Sequence, residues 1–323
     1  MKLRQLAQLW PAQQVSDGAG VKIRRSIGVQ PQWRLDPFLM LDCFGSEQAA
    51  DYIAGFPPHP HRGFETVTYM LDGHMLHEDH LGNRGHLKSG GVQWMTAGRG
   101  IIHSEMPQQE SGLMRGFQLW LNLPAAEKMQ EPAYLDLDPA QIPQLSIPQG
   151  VIKVIAGTLQ GQVHGQTQDH SQNHSQNHSQ NHAQAQDGTE PQPLPQPLPP
   201  ITGPIRAVST APLYLDLQLH SAASLTLAIP AGHNALIYPY EGEAWIDRHR
   251  VPAHHAGVLG DGDHLSLRTQ SAARIIVLAG KPLGEPVVQY GPFVMNSVAE
   301  IEQAILDYQQ GRLTTGAAKA LQI

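Results

Sequence analysis

Apolar and polar positions alternate along much of the chain. In MRGFQLWLNLP, residues 114–124, Phe117, Leu119, Leu121 and Leu123 alternate with Gln118, Trp120 and Asn122, the period of two that gives a strand two different faces. From residue 20 to about 125, similar short runs such as VKIRRSIGV, TVTYMLDGHMLHED and GVQWMTAG are separated by LDGH, HLGNRGHLKSGG and AGRG, whose Gly and Asn content marks turns. The pattern resumes in VIKVIAGTL, LYLDLQLH, SLTLAIP, NALIYPYEGEAWI and ARIIVLAG. Many short strands at this spacing predict an all-β sandwich or barrel. One segment departs from it: Ser297 and Glu300 form a capping box, Val298, Ile301, Ala304, Ile305 and Tyr308 share a 3.6-period face, and Gly311 ends the run, which predicts a helix near 297–310 whose apolar stripe packs on a domain.

At 323 residues the chain has room for two domains with a core each. Pro124, Pro132, Pro139, Pro143 and Pro148 make residues 124–150 the expected connection, which divides the chain into 1–140 and 141–323. Residues 161–203 interrupt the second part with a His/Gln-rich and then Pro-rich segment almost devoid of apolar side chains. Such a composition does not offset the entropy of ordering, so a disordered insertion ending in a stiff polyproline-like stretch is expected.

Composition narrows the function classes. Hydrophobic residues make up 41% and charged ones 15%, with 31 Gly and 26 Pro, in keeping with short strands and turns. The formal charge of -7 leaves no basic field for a phosphate backbone, so direct nucleic-acid binding is not expected. The single cysteine, Cys43, excludes an intrachain disulfide and a thiolate cluster and reads as a small buried hydrophobe. MKLRQLAQLWPAQQ lacks an apolar run of signal-peptide length, and no stretch of about 18 apolar residues occurs; a soluble cytoplasmic protein without a membrane span is the expectation.

The chain carries 18 histidines. The conspicuous group, His170, His174, His178 and His182, lies in the SQNH repeat, without helix formers and with Asp169 as its one neighbouring carboxylate; it reads as an expanded loop that binds metal only adventitiously. His74, His77, His80 and His86 read as solvated loop positions, and His254 and His255 as surface residues or structural hydrogen-bonders. Gly98 and Gly100 read as a tight turn, since the third glycine of a dinucleotide motif is absent. His59 and His61 differ, because residues two apart on a strand share a face and HxH aims two imidazoles at one point. Glu65 has the same parity if the strand is regular. TAGRGIIHSEM repeats the arrangement with His103 and Glu105. Together the pairs offer three neutral nitrogens and a carboxylate, suited to Fe, Mn, Co, Ni or Zn with positions left open.

From HPHRGFETVTYMLDG to GGVQWMTAGRGIIHSEMP the sequence resembles the pirin family, within the cupin superfamily. LDCFG, FQLWLNLP, LYLDLQL and GEPVVQYGPFVMNSVAEIEQAILDY extend the resemblance over nearly the whole chain outside 161–203. The resemblance implies two tandem cupin barrels (double-stranded β-helix, jelly-roll) with a C-terminal helix, and one metal ion in the N-terminal barrel, Fe(II) first among divalent ions that include Mn, Co, Ni, Cu and Zn. It implies His59, His61, His103 and Glu105 as metal ligands, leaving Glu65 to orient a histidine N–H. Aligning YMLDG with YPYEG sets Ala228 and Pro230 opposite His59 and His61, and sets Ile275 and Val277 roughly opposite His103 and Glu105, so the C-terminal barrel is expected to lack a metal site. The implied function is a quercetinase-type dioxygenase that opens a flavonol with O2 and releases carbon monoxide. Glu105 is then also the general base for the flavonol hydroxyl, and Phe64, Trp94, Met95 and Phe117 are candidate pocket walls. The alternative is a non-catalytic iron protein whose redox state tunes binding to a protein partner.

Overall fold

The computed structural model describes residues 1–30, 33–164, 195–206, 208–314 and 319–320; His170, His174, His178 and His182 of the repeat lie outside the described residues. The alternating runs form strands of two cupin barrels. In the first barrel an eight-stranded sheet runs from Gln13–Asp17 through Val21–Ile27, Phe38–Ser46, Met114–Asn122, Phe64–Asp72, Val92–Thr96 and Ala133–Leu137 to Lys319–Ala320. It faces a four-stranded sheet of Phe56–His61, Ile101–Pro107, His74–Asp79 and Arg84–Lys88. The second barrel pairs a seven-stranded sheet with a six-stranded one. Among the described residues no helix is long and apolar enough to cross a membrane.

Residues 124–150 hold more structure than a linker. Ala133–Leu137 pairs with Val92–Thr96 of the first barrel and Gln144–Ile147 with Gly150–Ala156 of the second, so the connection proper is the short turn between them. The insertion is likewise narrower than 161–203. Thr158–His164 pairs with Gln196–Thr202, and the latter is the sheet's edge strand, where prolines without an N–H are tolerated.

The two ends of the chain cross over. Leu6–Pro11 pairs with His255–Leu259 of the second barrel. Conversely the helix Val298–Gln309, with the Ser297 hydroxyl accepting from the Glu300 N–H, belongs to a cluster of Phe293, Met295, Ile301, Ala304 and Leu313 packed against Ile102 of the first barrel. Between the barrels Tyr69, Trp94 and Phe117 share a core with Tyr214, Tyr238 and Tyr240. At its centre the buried Asp216 carboxylate accepts from Tyr69 Oη at 2.7 Å, Tyr240 Oη at 2.7 Å and Gln218 Nε2 at 2.6 Å, which satisfies a charge that would otherwise be costly to bury. Cys43 is buried, and burial pushes its thiol pKa up to about 12.

Candidate metal centre

Strand pairing brings the two histidine motifs together. Phe56–His61 and Ile101–Pro107 run antiparallel with His103 opposite His59 and Ile101 opposite His61. The ring centroids of His59, His61 and His103 stand 4.3 to 4.9 Å apart, and one ring nitrogen from each lies within 4.8 Å of the others. His59 Nδ1 faces the Pro57 carbonyl at 2.8 Å, so Nδ1 carries the proton and Nε2 the lone pair. His61 Nδ1 and His103 Nε2 are buried without a hydrogen-bond partner. Burial first, and neighbouring histidines second, hold the His61 and His103 pKa values well below the ordinary 6.5, which keeps both rings neutral. Two buried, neutral imidazoles with unsatisfied nitrogens cost free energy unless something occupies the point they face, and a divalent cation fits the donor set that they make with His59.

Glu105 reaches the centre differently. The register slips between His103 and Glu105, which faces Phe56, and the carboxylate is not within the 4.8 Å group. It is buried, accepts from Thr68 Oγ1 at 3.0 Å and lines the same cavity as His59 and His61.

Glu65 does not orient a histidine. Gly63, at φ +89°, turns the corner between the strands Phe56–His61 and Phe64–Asp72, which lie in different sheets, so parity is not carried through. Beyond the corner Phe64 stands 5.1 Å from the His61 ring and Thr68 meets Glu105, so even positions face the site. Glu65 lies on the opposite face with Val67 and Tyr69 of the inter-barrel core, its Oε1 accepting from Thr96 Oγ1 at 2.8 Å.

A cavity of about 760 Å³ opens beside the histidines. Met40, Phe44, Phe56, Met75 and Trp120 supply apolar wall, and Arg25, Asp42, Gln118 and Pro292 lie among the other lining residues. Of the four expected wall residues only Phe64 touches the centre; Trp94 and Phe117 belong to the inter-barrel core and Met95 to a cluster with Ala97 and Ile101. The alternation in FQLWLNLP carried the signal: Phe117, Leu119 and Leu121 take the inter-barrel face, which leaves Gln118 and Trp120 for the cavity.

His77 was misread as a loop residue. It is 1% exposed on the strand His74–Asp79, which pairs with Ile101–Pro107 so that His77 lies opposite Glu105 and Asp79 opposite His103. The signal was present, since His77 and Asp79 are two apart, like the other two pairs.

In the second barrel the strand that occupies the place of Ile101–Pro107 is His264–Thr269. It pairs with Ala223–Ala228 and Glu243–Ile246, as Ile101–Pro107 pairs with Phe56–His61 and His74–Asp79. Ala273–Gly280, the strand of Ile275 and Val277, corresponds instead to Met114–Asn122. Shorter hairpins in the second barrel carried an alignment by spacing one strand too far. Leu225, Leu227, Leu265 and Leu267 fill the interior there.

Residues 20–121 match the Pirin family and residues 214–314 the Pirin C-terminal cupin domain. A Pseudomonas aeruginosa protein named as a putative quercetin 2,3-dioxygenase is 47% identical over 97% of this chain and 99% of its own length. Human pirin is 37% identical over 92% of this chain and 89% of its own. The crystal structure of a quercetin 2,3-dioxygenase from Acinetobacter baumannii superposes with a TM-score of 0.77 at 28% identity, covering 97% of this chain and 99% of the other. The chain therefore belongs to the pirin family of bicupin proteins.

Proposed function

We propose that the protein is a metal-dependent dioxygenase of the quercetin 2,3-dioxygenase type, with one divalent ion, Fe(II) in the first place, held by His59, His61, His103 and Glu105. The convergence of three histidine ring nitrogens, those of His61 and His103 buried and neutral, beside a substrate-sized cavity carries this reading. Such an ion supplies Lewis acidity and redox chemistry toward a flavonol and O2. The chain supplies the rest. The cavity lies within the roughly 300–1,000 Å³ of sites that bury a drug-sized molecule. Trp120 and the methionine and phenylalanine walls give a flat aromatic ligand apolar contact and displace water. Glu105 accepts the flavonol hydroxyl proton as substrate binds, with Thr68 fixing the orientation of its carboxylate.

The relatives' names support the same substrate class. A redox sensor that binds a protein partner would use the same donors, but the substrate-sized cavity beside the histidines favours the enzyme. Iron-loaded protein is expected to consume quercetin in air and to stop when O2 is removed, with His59→Ala and His103→Ala reduced to background. Flavonol loss and carbon monoxide release report the result. Undiminished anaerobic turnover would sink the proposal; absence of flavonol binding, with partner affinity that changes on iron oxidation, would establish the sensor instead.

A further inference from the structure

Behind His103 the structure holds two more polar side chains that the proposed chemistry does not use. His103 Nδ1 lies 3.3 Å from His77 Nδ1, and His77 Nε2 lies 3.4 Å from Asp79 Oδ2. Both His77 and Asp79 side chains are buried. Asp79 is itself tightly held: its carboxylate accepts from the Leu81 and Asn83 backbone N–H groups at 2.9 and 3.1 Å and from Asn83 Nδ2 at 2.8 Å. Burial raises the Asp79 pKa, but the hydrogen bonds from His77, Asn83 and Leu81 outweigh it and leave the carboxyl below its ordinary 3.8. Tyr134 stacks on the His77 ring with centroids 4.5 Å apart and donates to Asp136 Oδ2 at 2.6 Å, which fixes the ring plane.

Hydrogen-bond polarity then runs in one direction. An ionised carboxylate only accepts, so His77 carries its proton on Nε2 and presents a lone pair at Nδ1. That lone pair requires a proton on His103 Nδ1, and a neutral His103 is left with its lone pair on Nε2, the buried atom without a partner. We infer that Asp79 and His77 are positioning residues, a two-member relay that sets the tautomer and ring angle of His103 for metal binding. The inference rests on the metal reading above and extends it. An outer partner on the second ring nitrogen raises ligand basicity and holds the ring, and losing such a partner costs about 10–100-fold in metal affinity. Tyr134 stacking by itself would be met equally well by a phenylalanine at 77, which gives the test its contrast.

The probe is Co(II), added to metal-free full-length protein and followed by chelator competition and by its visible d–d absorption. His77→Phe is expected to bind about 10–100-fold more weakly with a shifted spectrum, and His77→Asn, which keeps an acceptor oxygen near the Nδ1 position, to recover most of the loss. An unchanged affinity and spectrum in His77→Phe, or an equal loss in both variants, overturns the relay and leaves the metal reading standing. If the wild type takes up no Co(II) beyond what His59→Ala and His103→Ala retain, both fall. Should the variants not fold, long-range ¹H–¹⁵N spectra of the wild type read the tautomers directly: His77 protonated at Nε2 and His103 at Nδ1 supports the relay, and the reverse pair overturns it.

Discussion

Buried on the inter-barrel face, the Glu65 carboxyl keeps a hydrogen bond from Thr96, while its Oε2 has no partner. Trp94 Nε1 is nearby but likewise unpartnered. Burial pushes the Glu65 pKa up to about 7, against the pull of the Thr96 hydrogen bond. Because this folded value exceeds the ordinary 4.5, the folded state binds more protons across that window. The stabilisation is full below about pH 4.5 and is lost as pH rises through 7. The shift corresponds to about 3 kcal/mol as an order of magnitude. Glu65→Gln, which keeps an acceptor for Thr96, should remove this slope and be roughly 1–3 kcal/mol more stable than the wild type at pH 8. Urea unfolding at pH 5 and pH 8 checks it, and parallel pH profiles would show that Glu65 does not titrate as argued. His59, His61 and His103 were legible from spacing because each motif lies within a single strand, Phe56–His61 or Ile101–Pro107. Glu65 was not, because Gly63 intervenes.

The C-terminal helix is tied to the strand that carries the first two histidines. Asp307 reaches Arg62 Nη1 at 2.9 Å, Arg62 is buried and follows His61 directly, and its Nε donates to the Arg99 carbonyl. At the same corner Lys128 Nζ donates to the Gly63 carbonyl at 2.7 Å and the Val294 carbonyl at 3.1 Å. Asp307→Ala leaves a buried guanidinium without its carboxylate, a change expected to cost about 2–4 kcal/mol. It should also weaken Co(II) uptake; Asp307→Asn, with an acceptor retained, should cost less. Thermal melts and the Co(II) assay measure both, and a loss below about 0.5 kcal/mol would mean the tether contributes little. The helix itself was readable from its capping box and period. Which residues it buries was not: Ile301 and Ala304 are covered by Phe293, Met295 and Leu313, while Val298 and Tyr308 of the same stripe remain 62% and 43% exposed.

Across the molecule the two barrels share one aromatic core and exchange their chain ends, and Gln289, Gly291 and Pro292 from the far end of the chain line the cavity beside His59 and His61. A single cooperative unfolding transition is therefore expected, without separate melting of two units. Residues 1–140 expressed alone should not bind Co(II) with full-length affinity, although all four candidate ligands fall within them. Calorimetry and metal competition on the fragment test this, and native affinity in the fragment would show that the first barrel is self-sufficient. Linear order suggested a division near residue 140, since the pattern of strands restarts there. The exchange of ends carries no local signal: Leu6–Pro11 would make an acceptable edge strand in either barrel.

Local periodicity and spacing were enough to determine a strand-rich chain, the helix near 297–310 and the two motifs that carry His59, His61 and His103, because each depends on neighbours a few residues apart. Tertiary structure alone decided that Glu65 lies with the inter-barrel core, that Gln118 and Trp120 rather than Phe117 line the cavity, and that His77 and Asp79 stand behind His103. Those outcomes depend on where a barrel corner breaks strand parity and which sheets then pack face to face, and such contacts join residues too far apart for any local pattern to record.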